Sequence, residues 1–275
     1  MPGTLYVVAT PLGNLQDLSP RAAATLVRVA VVAAEDTRRS KTLLTHVGSH
    51  ADLVSFHSHS STRVLQRLLD VLRQGKDVAV VTDAGTPSVS DPGGALVAAA
   101  RAADVAVVSI PGPTAVAAAL SVSGFPADRY AFLGFLPRKG GERRRLLETV
   151  AHSEWTVVLF ESPLRVGGLL TDLVAACGPD RRAALARELT KVFEETRTGT
   201  LSELATYYAE VPPRGEVTVV IAGAGRAGPL RATPDPEERA RALLAEGFSR
   251  KDVAERLAAE TGITRNAAYR LVTDL

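Results

Sequence analysis

Three short β-branched runs, LYVVAT (Leu5–Thr10), VAVV (Val78–Val81) and VAVVSI (Val105–Ile110), each end in a turn rich in glycine or proline. That punctuation constrains the fold more than any other feature of the chain. Short apolar runs without strict alternation read as parallel strands buried on both faces. Helical patterns separate them. Ser19–Arg28 opens on a Ser-Pro pair suited to an N-cap and first turn, and Thr62–Gln74 sets Val64, Leu65, Leu68, Leu69 and Leu72 on one face. Strand alternating with helix predicts an α/β domain on a parallel sheet.

Past Pro111 the pattern resumes with strands predicted at Tyr130–Leu136, Thr156–Glu161, Ala183–Arg187 and Glu216–Gly223. The prediction is therefore two α/β domains, 1–118 and 119–225, with the change falling within Ala115–Asp128. A chain of 275 residues is long enough to give each its own core. GAGRAGPLRATPDP (Gly223–Pro236) reads as a linker, placed at 226–236. Residues 237–275 read as a helix-turn-helix-like module: Glu237–Glu246, Ser249–Glu260 and Thr264–Thr273, with Ser249 and Thr264 as N-caps and Gly247 and Gly262 as stops.

Apolar runs such as Val27–Ala34 and Ala95–Ala100 are too short to span a bilayer, and the start MPGTLYVV lacks a basic region followed by an apolar stretch. The expectation is a cytoplasmic protein with no membrane partner. Cys177 stands alone, which excludes an intramolecular disulfide and any multi-cysteine metal site. A net charge of +2 does not mark a general polyanion binder, so local clustering of charge matters more than the sum.

The turns ATPLGN (Ala9–Asn14), TDAGTPSVSDPGG (Thr82–Gly94) and IPGPTA (Ile110–Ala115) follow the three strands. In an open α/β sheet, ligands gather at the carboxyl ends of the strands, and glycine lets backbone approach a ligand closely. No GxGxxG fingerprint and no GxxxxGK[ST] loop is present, which argues against a dinucleotide or a nucleoside triphosphate. A smaller zwitterionic or nucleoside ligand fits these turns better.

These segments, together with AAEDTRRSKTLL, FLGFLPRKGGERRR, FESPLR, ARELTKVFEE and RGEVTVVIAG, resemble the ribosomal RNA small subunit methyltransferase I family in order from Leu5 to Gly223. That family is a branch of the tetrapyrrole-methylase fold. The resemblance implies two α/β domains of this type with S-adenosylmethionine in the cleft between them, a homodimer, and 2′-O-methylation of a cytidine in the decoding region of 16S rRNA in the 30S small ribosomal subunit. It implies cofactor contacts at Pro11 and Gly13, at Asp83, Ala84, Gly85, Thr86 and Ser88, and at Pro111, Gly112, Thr114 and Ala115. From the second domain it implies Ser162, Glu188, Leu189, Ala222 and Gly223.

A ribose hydroxyl is a poor nucleophile at neutral pH, so a base or charge-stabilising group is expected beside it. The most charged constellation at the predicted edge is AAEDTRRSK, with Asp36 or Glu35 as the base or the group that fixes the ribose, and Arg38 as a phosphate or oxyanion partner. The alternative is an ordinary helix N-terminus, where acidic residues favour the dipole. PRKGGERRR supplies Arg138, Lys139, Arg143, Arg144 and Arg145, either for an RNA backbone or as a solvated helix start. Arg187 and Lys191, with Glu194 and Glu195 behind them, face the same cleft or form surface ion pairs.

SFHSHS places His57 and His59 on one strand face, but no third ligand is evident and no metal is expected. The family has a longer His-Glu-His-Asn version of this segment, from which Ser58 and Ser60 depart. In the tail, Arg265, Asn266 and Arg270 are candidate nucleic-acid contacts or parts of a packing module. Two other functions fit parts of the chain: a tetrapyrrole C-methyltransferase of the same fold, and a non-enzymatic ribosome- or DNA-binding factor led by the tail.

Overall fold

The computed structural model describes residues 1–57, 60–91, 93–225, 236–261 and 264–275. Two compact units result, Met1–Ala224 and Gly225–Leu275.

The first half of the larger unit runs β1 (Leu5–Val8), α1 (Pro20–Arg28), β2 (Val31–Ala34), α2 (Thr37–Val47), β3 (Asp52–Ser55), α3 (Thr62–Arg73), β4 (Val78–Val81), α4 (Gly94–Ala102) and β5 (Val107–Ile110). Its five strands are all parallel, in the order β3-β2-β4-β1-β5. Strand periodicity explains the layering. Val78 and Val80 of β4 join Leu68 and Leu72 of α3 and Leu96 of α4 on one face, while Ala79 and Val81 join Leu26 of α1 and Leu43 of α2 on the other.

Ser19 caps α1 by accepting the Ala22 N–H at 3.1 Å, as the Ser-Pro pair predicts. Ser19→Ala is expected to cost about 1 kcal/mol, read as a fall of about 2–4 °C in Tm. An unchanged melting curve would remove the cap from the account.

The second half carries α5 (Ala115–Ser123), β6 (Tyr130–Phe135), α6 (Gly141–His152), β7 (Thr156–Glu161), α7 (Val166–Cys177), β8 (Arg182–Arg187), β9 (Glu195–Thr200), α8 (Leu201–Glu210) and β10 (Val217–Ile221). The second sheet, ordered β6-β7-β10-β8-β9, is mixed: β6 and β7 are parallel, but β10 runs antiparallel to both its neighbours and β9 antiparallel to β8. β9, with the sequence ETRTGT, has no apolar side chain to announce it and lies at the sheet edge.

One face of this sheet packs on α6, α7 and α8 through Val150, Leu169, Leu170, Leu173, Leu201 and Leu204. The other packs on α5, where Val116, Ala119 and Leu120 meet Val158, Ala184 and Val220, with Leu12 of the first half in the same cluster. The division expected at 118/119 falls inside α5. That helix packs with the second sheet, and the chain passes between sheets at Pro111–Thr114.

The smaller unit holds α9 (Pro236–Ala245), α10 (Arg250–Thr261) and α11 (Arg265–Asp274) around Ala240, Leu243, Val253, Leu257, Ala268 and Val272. Ser249 accepts the Asp252 N–H, and Thr264 the Ala267 N–H, each at 3.3 Å. Of the linker expected at 226–236, residues 226–235 lie outside the described residues and Pro236 opens α9; the stop at Gly262, and Ser58 and His59, also lie outside them. β3 ends at Ser55, so His57 stands in the loop beyond it rather than on a strand face. Among the described residues no helix is long and apolar enough to cross a membrane, and no three His, Cys, Asp or Glu side chains gather to hold a metal.

Candidate functional site

Because β4, β1 and β5 are parallel neighbours, the turns that follow them meet at one edge of the first sheet. Hydrogen bonds tie them together. Thr10 N–H donates to the Gly85 carbonyl at 2.8 Å, Gly85 N–H donates to the Thr10 carbonyl at 3.0 Å, and the Thr86 hydroxyl donates to the Pro113 carbonyl at 3.1 Å. Gly85 holds φ +89°, a left-handed conformation that a side chain disfavours, and a Cβ there would stand 3.3 Å from Leu12 Cδ2.

The second half supplies the facing wall. A cavity of about 340 Å³ lies between them. Its first wall includes Glu35, Thr82, Asp83, Asp91 and Ala115, and its second Phe135, Phe160, Glu161, Ser162, Glu216 and Thr218. Five carboxylates line it, and no lysine or arginine does among the described residues. Phe135 is exposed, and its ring lies 5.6 Å from that of Phe160.

The carboxylates are in unlike states. Burial pushes the Asp91 carboxyl up to about 6; Glu35 and Asp83 nearby add to the rise, and a hydrogen bond from Thr82 opposes it. Glu161 is buried, and its Oε1 accepts the Ser162 N–H at 2.7 Å and pairs with the Arg165 guanidinium. Asp83 accepts the Asp36 N–H at 3.1 Å and lies 3.5 Å from the Arg39 guanidinium. Glu35 Oε2 sits 3.5 Å from the Thr82 hydroxyl.

Asp36 caps α2, accepting the Arg38 N–H at 2.8 Å, while its other oxygen meets the Arg38 guanidinium at 2.9 Å. These hydrogen bonds hold its carboxyl down at about 2. The helix-cap alternative thus describes Asp36 and Arg38, and neither side chain lines the cavity.

A second cavity of about 280 Å³ adjoins the first, sharing Leu12, Thr82, Asp83, Ala84 and Glu216. Pro11, Gly13, Arg39, Thr42 and Lys191 also line it. Lys191 Nζ lies 2.9 Å from Glu188 Oε1 and 3.4 Å from Glu216 Oε2, and its stem leaves no room for a Cβ on Gly13.

Of the residues expected at the cofactor, Asp83, Ala84, Gly85, Thr86, Thr114, Ala115 and Ser162 line the first cavity. Pro11 and Gly13 line the second. The Ser88 hydroxyl is turned toward Gly93, and Gly112 packs against Ala9. Leu189 is buried between the sheets, and Glu188 grips the Gly215–Glu216 turn, accepting the Glu216 N–H at 3.3 Å.

Ala222 and Gly223 stand apart from both cavities. β10 runs antiparallel to β7, with Val217 opposite Glu161 and Ile221 opposite Val157. Val217 therefore reaches the cavity, while Ala222 and Gly223 lie at the far edge, where the Glu154 carbonyl blocks a Cβ on Gly223.

Arg143 is also redirected. Its guanidinium bonds Asp172 at 2.6 Å and the Pro137 carbonyl at 2.9 Å, and only 14% of its side chain is exposed. Arg138, Lys139, Arg144 and Arg145 are exposed. Arg187 pairs with Glu195 at 2.7 Å, and Arg265 with Glu255 at 2.9 Å. Asp91, Phe135, Phe160, Glu161 and Glu216 escaped the sequence reading. A charged residue closing an otherwise apolar strand was the available signal for Glu161.

Two α/β lobes closing on an acidic cleft floored by tied glycine turns define a tetrapyrrole-methylase-type domain, and residues 4–205 match the family described as Tetrapyrrole (Corrin/Porphyrin) Methylases. The fold is shared with uroporphyrin-III C-methyl transferase from Thermus thermophilus complexed with S-adenosyl homocysteine, at TM-score 0.59 and 20% identity, over 80% of this chain and 97% of that one. Two curated relatives carry the name ribosomal RNA small subunit methyltransferase I. The protein of Synechocystis sp. is 43% identical over 99% of this chain and 98% of its own, and that of Xylella fastidiosa (strain Temecula1) 44% identical over 98% of each. The chain belongs to the ribosomal RNA small subunit methyltransferase I family.

Proposed function

We propose that this chain is a cytoplasmic, homodimeric methyltransferase that methylates the 2′-oxygen of a cytidine in the decoding region of 16S rRNA, in the 30S small ribosomal subunit, with S-adenosylmethionine as donor. The observation that carries the reading is the charge of the first cavity. Its five carboxylates, with no cation among the described lining residues, suit a ligand bearing a sulfonium and an ammonium group. Phe135 and Phe160 offer aromatic surface for adenine. Bound S-adenosylmethionine supplies an electrophilic methyl group.

The protein's part is alignment and charge. The lining of the first cavity would hold the methyl donor for an in-line displacement that leaves a neutral thioether, with the hydroxyl proton passing to a cleft carboxylate such as Glu35. Most of the acceleration comes from holding the two partners and excluding water. Glu35 is the better placed of the two candidate bases, because it lines the cavity beside Thr82, whereas Asp36 is held near 2 by Arg38 and is a weak proton acceptor. Exposed Arg138, Lys139, Arg144 and Arg145 suit an RNA backbone. Leu164, Val192 and Phe193, 97%, 94% and 73% exposed, are apolar surface that a second copy would cover.

The test is transfer of labelled methyl from S-adenosylmethionine to small subunits lacking the modification, followed by nuclease digestion and mass spectrometry. The expected product is 2′-O-methylcytidine. Tight cofactor binding with label passing only to a tetrapyrrole would replace this reading with the C-methyltransferase one.

A further inference from the structure

The two adjoining cavities differ in their balance of charge, and that difference assigns them different ligands. The first is lined by carboxylates alone among its ionisable described residues, whereas the second sets Arg39 and Lys191 against Asp83 and Glu216. A sulfonium is favoured most where every ionised side chain is a carboxylate, and a phosphodiester finds cationic partners among the described lining residues only in the second cavity. The second cavity also has a mixed wall suited to a base and sugar: apolar Leu12, Leu15 and Leu43, with hydroxyls from Ser40 and Thr42. Its volume of about 280 Å³ is close to the ~300 Å³ at which small-molecule sites begin.

We propose that this second cavity receives the acceptor nucleotide, turned out of its RNA strand, with Arg39 and Lys191 on its flanking phosphate. The inference rests on the RNA 2′-O-methylation proposed above, names where that substrate sits, and turns Pro11 and Gly13, expected at the cofactor, to the acceptor instead. Sequence-specific RNA recognition works mainly on unstacked nucleotides, whose edges and faces a pocket can reach. The shared border makes transfer feasible. Leu12, Thr82, Asp83, Ala84 and Glu216 line both cavities, so a group held in one can meet a group held in the other along this edge.

That border also explains how the basic side chains are held. Arg39 lies 3.5 Å from Asp83, and Lys191 lies 3.4 Å from Glu216, so each is fixed by a carboxylate of the dividing wall. Lys191 is fixed further by Glu188 and by its fit over Gly13. Two cations set in place over an apolar pocket suit one phosphate better than cations on a mobile loop do.

The experiment uses the full chain with S-adenosylhomocysteine present, and measures retention of unmodified small subunits on filters across a range of salt. Arg39→Ala removes a phosphate contact. Thr42→Trp fills the cavity from an exposed position of α2. Both variants are expected to bind subunits about tenfold more weakly, with Arg39→Ala also lowering the salt slope by about 1. S-adenosylmethionine affinity should stay within about twofold of wild type, which also reports that the variants fold.

Wild-type subunit affinity and salt slope in both variants would overturn the subsite while leaving wild-type methylation of the same subunits, and hence the rRNA reading, intact. Loss of cofactor binding in both would give the cavity to the cofactor instead. Failure of the wild-type protein to bind or methylate subunits would overturn the rRNA reading and the subsite together.

Discussion

Asp91→Asn is expected to weaken S-adenosylmethionine binding about a hundredfold at pH 7.5, toward the low end of the cost of truncating one partner of a buried charge pair. The carboxyl stands at about 6, raised first by burial and then by Glu35 and Asp83, and lowered by Thr82. Above pH 6 it is ionised and attracts a cationic ligand, and below pH 6 it is neutral. A bound cation pulls its pKa down, so wild-type affinity should fall about tenfold from pH 7.5 to pH 5. The Asn variant should lack this component.

Stability moves the opposite way. A carboxyl raised in the folded state costs stability as pH rises from its ordinary value through 6, so the variant should melt no lower than wild type at neutral pH. Calorimetric titration at several pH values separates the two effects. If the variant binds with wild-type affinity and an unchanged pH profile, Asp91 has no part in holding the cofactor.

Gly85→Val carries the second large effect. At φ +89° a β-branched residue is strained by about 1–3 kcal/mol, and its Cβ presses on Leu12. The residue also makes two backbone hydrogen bonds with Thr10 and lines the acidic cavity, so relaxation of the turn displaces both. Saturable cofactor binding should be lost, and Tm should fall by about 4–8 °C. Retained binding at wild-type affinity would show that the turn tolerates another geometry.

Strands β1, β4 and β5 of the first sheet were legible because each ends in a turn rich in glycine or proline, which marks both the strand and its ligand edge. Ser19 and Thr264 were legible as caps for a local reason, since each bonds a backbone N–H three residues on. Direction in the second sheet was not. VTVVI is equally apolar whether it runs parallel or antiparallel, and only its pairing with β7 and β8 puts Val217 at the cleft and Ala222 away from it.

β9 hid because an edge strand needs few apolar residues. In the site, turn residues such as Asp83 and Thr86 were marked by their motif. Phe135 and Glu216 were not, because nothing local distinguishes an aromatic or an acid that faces a cleft from one that faces solvent. Arg143 looked like its basic neighbours. Its pairing with Asp172, twenty-nine residues on, is a long-range fact.

Leu12 leaves the first sheet and buries itself with Val116 and Leu120 of α5 and Val158 and Val220 of the second. Swinging the two halves apart would expose that shared apolar cluster to water, at a penalty of the order of 25 cal/mol for each Å² uncovered. Opening of the cleft is therefore opposed at this seam, and Leu12 couples the first sheet's ligand edge to the packing of the second sheet.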